Sequence, residues 1–478
     1  MGVMAKHRLV AIGDSLTQGF FNGAIERAEW SYPALVAAAM GEDRFSSPLF
    51  GGPGGIPLNL EWLIRRLADR FGERVSLLEL PAAIMTVHRS LDEIEDYWER
   101  GPGSVPVQGT EYHHNLAVWG YEIGDALDLS SNLCDVEIPP PTHSWLAQVP
   151  ERALYRTARR VLNPSASAKW GASSALDVAR RLAQDGGVEN LIVVLGANHA
   201  LGAMTRLELR FSTEDELDKP PHQRRANLYR QEHFRVLYER LLEAVDRVGA
   251  ERVFLGTVPH VTIPPVARGV GVQSDGYYEY YTRPWIWDKD FDPERHTALT
   301  GDEARLVDRH IDDYNEIIRS AVESAPNRHL IDVGSLLNRL AFRRRRGAVG
   351  YRFPDGLIEA LRRHPDLDYL VDADGHVRLD TRFMRTRTLE GTTRLIQGGL
   401  FSLDGMHPTI TGTGIVAHGV LEILRSAGVS TARNDIDWDR VLEADTLINN
   451  PPPLLSDLHA LLTFLDRRGL LSTILELF

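Results

Sequence analysis

A single cysteine, Cys134, among 478 residues excludes any disulfide within the chain and any zinc site built on cysteines. No uninterrupted apolar run approaches the roughly 18 residues that a bilayer-spanning helix needs. Basic residues are in deficit, 53 Lys and Arg against 66 Asp and Glu, giving a net charge of -13. That balance argues against a nucleic-acid partner, because neutralising phosphates takes a clustered basic surface. The one dense basic run, 343–346, reads as the solvated end of a helix. Neither Gly-x-Ser-x-Gly nor His-Glu-x-x-His occurs, so the nucleophile elbow of the α/β-hydrolases and the zinc-protease helix are both missing. The glycines Gly51, Gly52, Gly54 and Gly55 lack the Lys-Ser/Thr ending of a phosphate-binding loop and read as a flexible turn. No metal and no cofactor is expected. Residues 1–8 lead directly into an apolar strand without the apolar stretch and cleavage site of a secretory signal, which makes a cytoplasmic location the expectation.

Hydrophobic patterning is plentiful. Apolar runs at 7–12, 115–118, 190–195, 252–256 and 329–333 read as strands, each followed by helix or loop rather than a tight hairpin. Amphipathic stretches at 30–40, 174–184, 226–248, 302–323 and 412–426 read as helices. The alternation predicts an α/β fold, a flavodoxin-like three-layer α/β/α sandwich around a mainly parallel five-stranded sheet. The segments 50–112, 128–170, 258–301 and 338–401 are too long for ordinary connections, which run to about 4 to 6 residues, and are read as insertions. One elaborated domain is expected over 1–426 and a helical extension over 427–478. Its apolar end, 454–478, packs on the body or a second subunit, or docks on a membrane surface.

Chemistry concentrates in four short blocks. Gly13-Asp14-Ser15-Leu16 follows the first strand, so Ser15 stands where a strand breaks into a helix. A serine needs a base within hydrogen-bond reach and a carboxylate that orients the base. Asp404-Gly405-Met406-His407-Pro408 offers both in one loop. Acyl transfer further needs donors for the oxygen that becomes negative. Gly120, ending Asn115-Leu116-Ala117-Val118-Trp119-Gly120, and Asn198, in Gly196-Ala197-Asn198, stand at the ends of strands that point to the ligand crevice of an open parallel sheet. His113 and His114 read as residues flanking a strand.

These four blocks, in this order, resemble the SGNH hydrolase superfamily, also called the GDSL lipase/esterase family. The resemblance implies Ser15 as nucleophile, His407 as base, Asp404 as its acid partner, and an oxyanion hole of the Ser15 and Gly120 N–H groups with the Asn198 amide. It implies a lipid or small-molecule ester as substrate, with an acyltransferase on the same residues or a non-catalytic ligand-binding protein of the same fold as alternatives. One departure stands out. The family usually carries Asp after the asparagine, whereas His199 follows Asn198 and either alters local hydrogen bonding or serves as a substrate contact or competing base. In the third insertion, Tyr277, Tyr278, Tyr280, Tyr281, Trp285 and Trp287 form either a platform or lid over the crevice or the anchor of a long insertion.

Overall fold

The computed structural model describes residues 5–141, 149–344 and 350–456. Four parallel strands form the central sheet: β1 (His7–Gly13), β2 (Val188–Val194), β3 (Arg252–Gly256) and β4 (Arg328–Ile331), side by side in that order. Continuous apolar runs make these strands because both faces of the sheet are covered. Val10, Ile12, Leu191, Val193 and Val253 point into one apolar layer, and Leu9, Ala11, Ile192, Val194 and Phe254 into the other. The first layer is closed by helices Ala175–Gln184, Gln231–Val248 and Gly301–Glu323, and the second by Tyr32–Met40 and Ile410–Ser426. Helix starts follow the sequence. Ser174 and Thr300 each cap theirs through a reciprocal bond with the acid three residues on.

The expected fifth strand does not form as a ladder. Residues 115–118 run beside β1, with Leu116 N–H donating to Ala11 O (2.7 Å) and Val118 N–H to Gly13 O (3.1 Å), but only Asn115 pairs as a bridge. The cause is local. Asn115 Oδ1 accepts from Ala117 N–H (3.2 Å), the kind of side-chain bond that competes with a sheet, while its amide donates to Thr17 O (2.9 Å). Gly120 then turns the chain with φ of +76°.

The long insertions have structure of their own. Helices Leu60–Phe71 and Leu80–Glu99 fill the first, Ser131–Glu137 and Ala153–Leu162 the second, a hairpin of Arg268–Ser274 with Tyr277–Thr282 the third, and helix Asp355–Arg363 with hairpin Arg385–Leu389/Thr392–Gln397 the fourth. The glycines at 51–55 are a packed turn rather than a flexible one: Trp98 Nε1 donates to Gly55 O (2.7 Å), and a side chain at Gly54 would collide with Ile94 (2.8 Å). The basic run is not a solvated helix end either. The preceding helix stops at Leu340, and Arg344 is paired with the buried Asp308; Arg345 and Arg346 lie outside the described residues. Beyond Ser426, helix Trp438–Ala444 buries Trp438, Val441 and Leu442 in the second layer. Of the expected tail, 457–478 lies outside the described residues. Among the described residues no helix is long and apolar enough to cross a membrane.

His7, His113 and His114 are buried rather than simple flanks of a strand. Ser46 N–H occupies His114 Nδ1 (3.0 Å), so the His114 proton sits on Nε2 and is donated to His7 Nδ1 (3.0 Å). Burial, with neighbouring positive charge, pushes His113 down to about 3 and His114 to about 4. Because the folded values lie below the ordinary 6.5, the unfolded chain takes up protons first, and stability present above about pH 6.5 is lost as pH falls toward 3. Replacing His113→Gln removes one such proton. The stability advantage of the wild type over this variant should shrink by up to about 1.4 kcal/mol per pH unit below 6.5. Urea melts of both proteins at pH 7.5, 6 and 5 check this, and a pH-independent difference would contradict it.

Candidate active site

Ser15 opens a one-turn helix, Ser15–Gln18, immediately after β1. Gly13 permits the sharp change of direction: a side chain there would lie 2.7 Å from Val194 O of the neighbouring strand and collide with Thr17. Asp14 caps the turn by accepting from Leu16 N–H (3.1 Å). Burial pushes the Asp14 carboxyl up to about 6, against the pull of the Leu16 N–H and of His407.

Asp404 and His407 lie on the loop between the last insertion and helix Ile410–Ser426. His407 Nδ1–H donates to Asp404 Oδ2 (2.9 Å). Asp404 Oδ1 accepts from the N–H groups of Met406 (2.8 Å) and His407 (2.9 Å), and Oδ2 also accepts from Gly23 N–H (2.7 Å). Burial alone would raise the Asp404 carboxyl, but His407 and the backbone donors outweigh it and hold the group below its ordinary value. Phe20, at 4.6 Å between ring centroids, lies against the imidazole. With Nδ1 held by a carboxylate, Nε2 is the nitrogen free to accept a proton.

Ser15, Asn198 and His407 line one cavity of about 120 Å³. The rest of its wall is mostly apolar, with Leu195, Leu201, Val258, Leu336, Leu340 and Ile415 prominent. Gly120 sits on the turn that follows 115–118, and its N–H, like that of Ser15, has no protein acceptor among the described residues. Asn198 starts helix Asn198–Arg206 and donates one amide hydrogen to Tyr121 O (2.8 Å), which places the glycine turn and the asparagine side by side.

Asp404 and Gly120 stand next to wall residues, His407 and Asn198 in turn, without lining the cavity themselves, and two further groups of candidates fall outside it. His199 is fully buried, its ring packed edge-on against Tyr229 at 4.5 Å and Phe234 at 5.3 Å between centroids, so it neither meets the cavity nor competes as a base. Burial, more than the nearby Arg224, pushes it down to about 3. The aromatic residues of the third insertion are its anchor rather than a lid. Tyr277 donates to Asp308 Oδ2 (2.7 Å) beneath Arg305 and Arg344, and Tyr278 packs edge-on against the buried Tyr281. Tyr280 meets Phe291, Trp285 is buried, and Trp287 lies under Arg268; none of the six lines the cavity. The hairpin packs along helix Gly301–Glu323, with Tyr277 bonded to Asp308 of that helix.

The supporting residues were not singled out in the sequence. Asn22 Oδ1 accepts from Leu403 N–H (3.1 Å), tying the Asp404 loop to the start of the chain, and Gln18 Oε1 accepts from Trp119 N–H (2.8 Å), holding the turn before Gly120. No spacing rule links positions 381 residues apart. The chain matches no known family's sequence profile and no curated protein.

A serine that shares a cavity with a carboxylate-oriented imidazole is expected to react with a fluorophosphonate once the two come within hydrogen-bond reach. The wild type should therefore be labelled at Ser15, with labelling abolished in Ser15→Ala and slowed about 100-fold or more in Asp404→Asn, which leaves the imidazole in the wrong tautomer. In-gel fluorescence with mass-spectrometric site mapping reads both outcomes. Labelling only at residues other than Ser15 would remove Ser15 from the chemistry, and an unchanged rate in Asp404→Asn would remove the Asp404–His407 pair.

Proposed function

We propose that this protein is a serine hydrolase of the SGNH type, with a flavodoxin-like α/β/α core, that cleaves carboxylic esters through an acyl-enzyme on Ser15. The observation that carries the reading is the shared cavity: Ser15, Asn198 and His407 line it together, and His407 is hydrogen-bonded to a buried, ionised Asp404.

In this mechanism His407 Nε2 takes the Ser15 proton as Oγ attacks the ester carbonyl. The N–H groups of Ser15 and Gly120 and the Asn198 amide hold the resulting oxyanion; removing one such donor typically costs about 10²- to 10³-fold in rate. His407 then gives its proton to the departing alcohol and draws one from the water that releases the acid. Asp404 orients the imidazole and balances its charge during each transfer without itself being protonated. The apolar wall suits the acyl chain, which gains by leaving water, and few polar groups remain on it to hold a charged acid.

Hydrolysis of p-nitrophenyl esters from acetate to palmitate, wild type beside Ser15→Ala, tests the reading. Turnover that vanishes in the variant supports it. A folded wild type with neither turnover nor fluorophosphonate labelling overturns it. Leu336, on helix Val333–Leu340 and 9% exposed, forms part of the wall. Leu336→Trp should shorten the preferred acyl chain and lower kcat/KM for the longest accepted ester about tenfold or more, while that for acetate changes less than about threefold.

A further inference from the structure

The glycine turn and the asparagine helix are joined by a closed circuit of hydrogen bonds that lies behind the cavity. Asn198 Nδ2 donates to Tyr121 O (2.8 Å). The next residue, His199, accepts through its carbonyl from Tyr229 N–H (2.9 Å). The Tyr229 hydroxyl donates to Glu122 Oε2 (2.6 Å), and Glu122 follows Tyr121 in the chain. Two segments almost eighty residues apart, Gly120–Glu122 and Asn198–His199, are thus bridged by one residue from a third.

The links are braced by further bonds. Tyr229 is 1% exposed, its carbonyl accepts from the Tyr314 hydroxyl, and its ring is edge-on to His199. Glu122 Oε2 also accepts from Arg224 Nη1 (3.0 Å), and Arg224 reaches both oxygens of Asp125 (2.9 and 2.8 Å). Asp125 Oδ2 in turn accepts from Glu122 N–H (2.9 Å), fixing the backbone just after the Gly120 turn. Moving the Gly120 N–H relative to the Asn198 amide would break at least one of these hydrogen bonds. Oxyanion stabilisation depends on that kind of fixed spacing between donors.

We propose that Tyr229 is a positioning residue of the oxyanion hole: its backbone N–H holds the start of the Asn198 helix and its hydroxyl holds Glu122, setting the distance between the Asn198 amide and the Gly120 N–H. Tyr229 does not line the cavity and acts only through these two segments. The inference rests on the ester-hydrolase reading.

Tyr229→Phe removes the hydroxyl alone, keeps the ring against His199 and leaves Glu122 paired with Arg224. Against a p-nitrophenyl ester it should lower kcat about tenfold with KM within about twofold of wild type, since displaced donors weaken the transition state and not ground-state binding. An alkylboronic acid adds covalently to Ser15 Oγ as a tetrahedral anion, and its inhibition constant should weaken by the same factor. A merely structural role would lower the melting temperature or the active fraction without moving that ratio. Glu122→Met cuts the same link from the other side while Arg224 keeps both oxygens of Asp125. It should reproduce the effect, the double variant should be no worse than either single one, and it decides the matter if Tyr229→Phe does not fold. Wild type and Ser15→Ala are assayed first. Absent Ser15-dependent turnover, the ester reading falls and this inference with it. If the wild type turns over and the variants keep kcat and boronate inhibition within twofold, the ester reading stands and the positioning role is overturned.

Discussion

A charged carboxylate buried to 3% exposure is the constraint around which this molecule is arranged. An ionised acid removed from water without partners is penalised by several kcal/mol or more. Asp404 meets that requirement with three backbone N–H groups and one imidazole. One of those N–H groups belongs to Gly23, and Asn22 beside it bonds back to the same loop. The two ends of the sequence are therefore obliged to close on each other, and all the insertions must be accommodated between them.

The parallel sheet makes that closure compatible with the candidate site. β1 and β2 run side by side in one direction, so the turn at Ser15 and the helix start at Asn198 emerge at the same edge. The segment 115–118 follows β1 but leaves the ladder early because Asn115 spends its amide on Thr17 and its own backbone. That departure is useful to the site: a regular strand would commit the backbone donors that Gly120 keeps free. Burial of Leu116, Ala117 and Val118, each fully covered, holds the irregular backbone in place.

The parts of this arrangement that were legible in the sequence are those governed by local rules. Apolar runs such as 9–12 and 191–194 become strands covered on both faces, and capped stretches such as 174–184 become helices within a residue or two of their expected bounds, whereas the helix expected from 226 starts only at Gln231. Ser15 and Asn198 come together because neighbouring parallel strand ends share a direction, and His407 joins them through the bonds that tie its loop to Asn22 and Gly23. What was illegible depends on distant partners. The six aromatic residues of the third insertion share a composition with binding platforms, yet Tyr277 is held by the buried acid Asp308, Tyr281 and Trp285 are buried, and Tyr280 and Trp287 pack on Phe291 and Arg268. His199 was weighed as a base from its place in the chain; the rings of Tyr229 and Phe234, thirty and more residues away, remove it from the solvent that a base requires. Arg344 looked like a surface cation until Asp308 supplied its counter-charge.

On the ester-hydrolase reading we propose, the same distinction explains why the candidate catalytic groups can be named from the chain while the ester they would serve cannot. Ser, Asp and His announce themselves because the reaction demands those functional groups at fixed offsets. The wall of the cavity is built from Leu195, Leu201, Val258, Leu336, Leu340 and Ile415, drawn from five different stretches of sequence. Each is an ordinary apolar residue at the end of a strand or on the inner face of a helix, with nothing in its neighbours to set it apart from the core. On that reading their collective shape would select the acyl group, and shape arises only when the elements pack. Selectivity in such a site is therefore a property of packing geometry, to be altered by changes of side-chain volume, whereas reactivity is a property of a few polar bonds around Asp404 and Asn198.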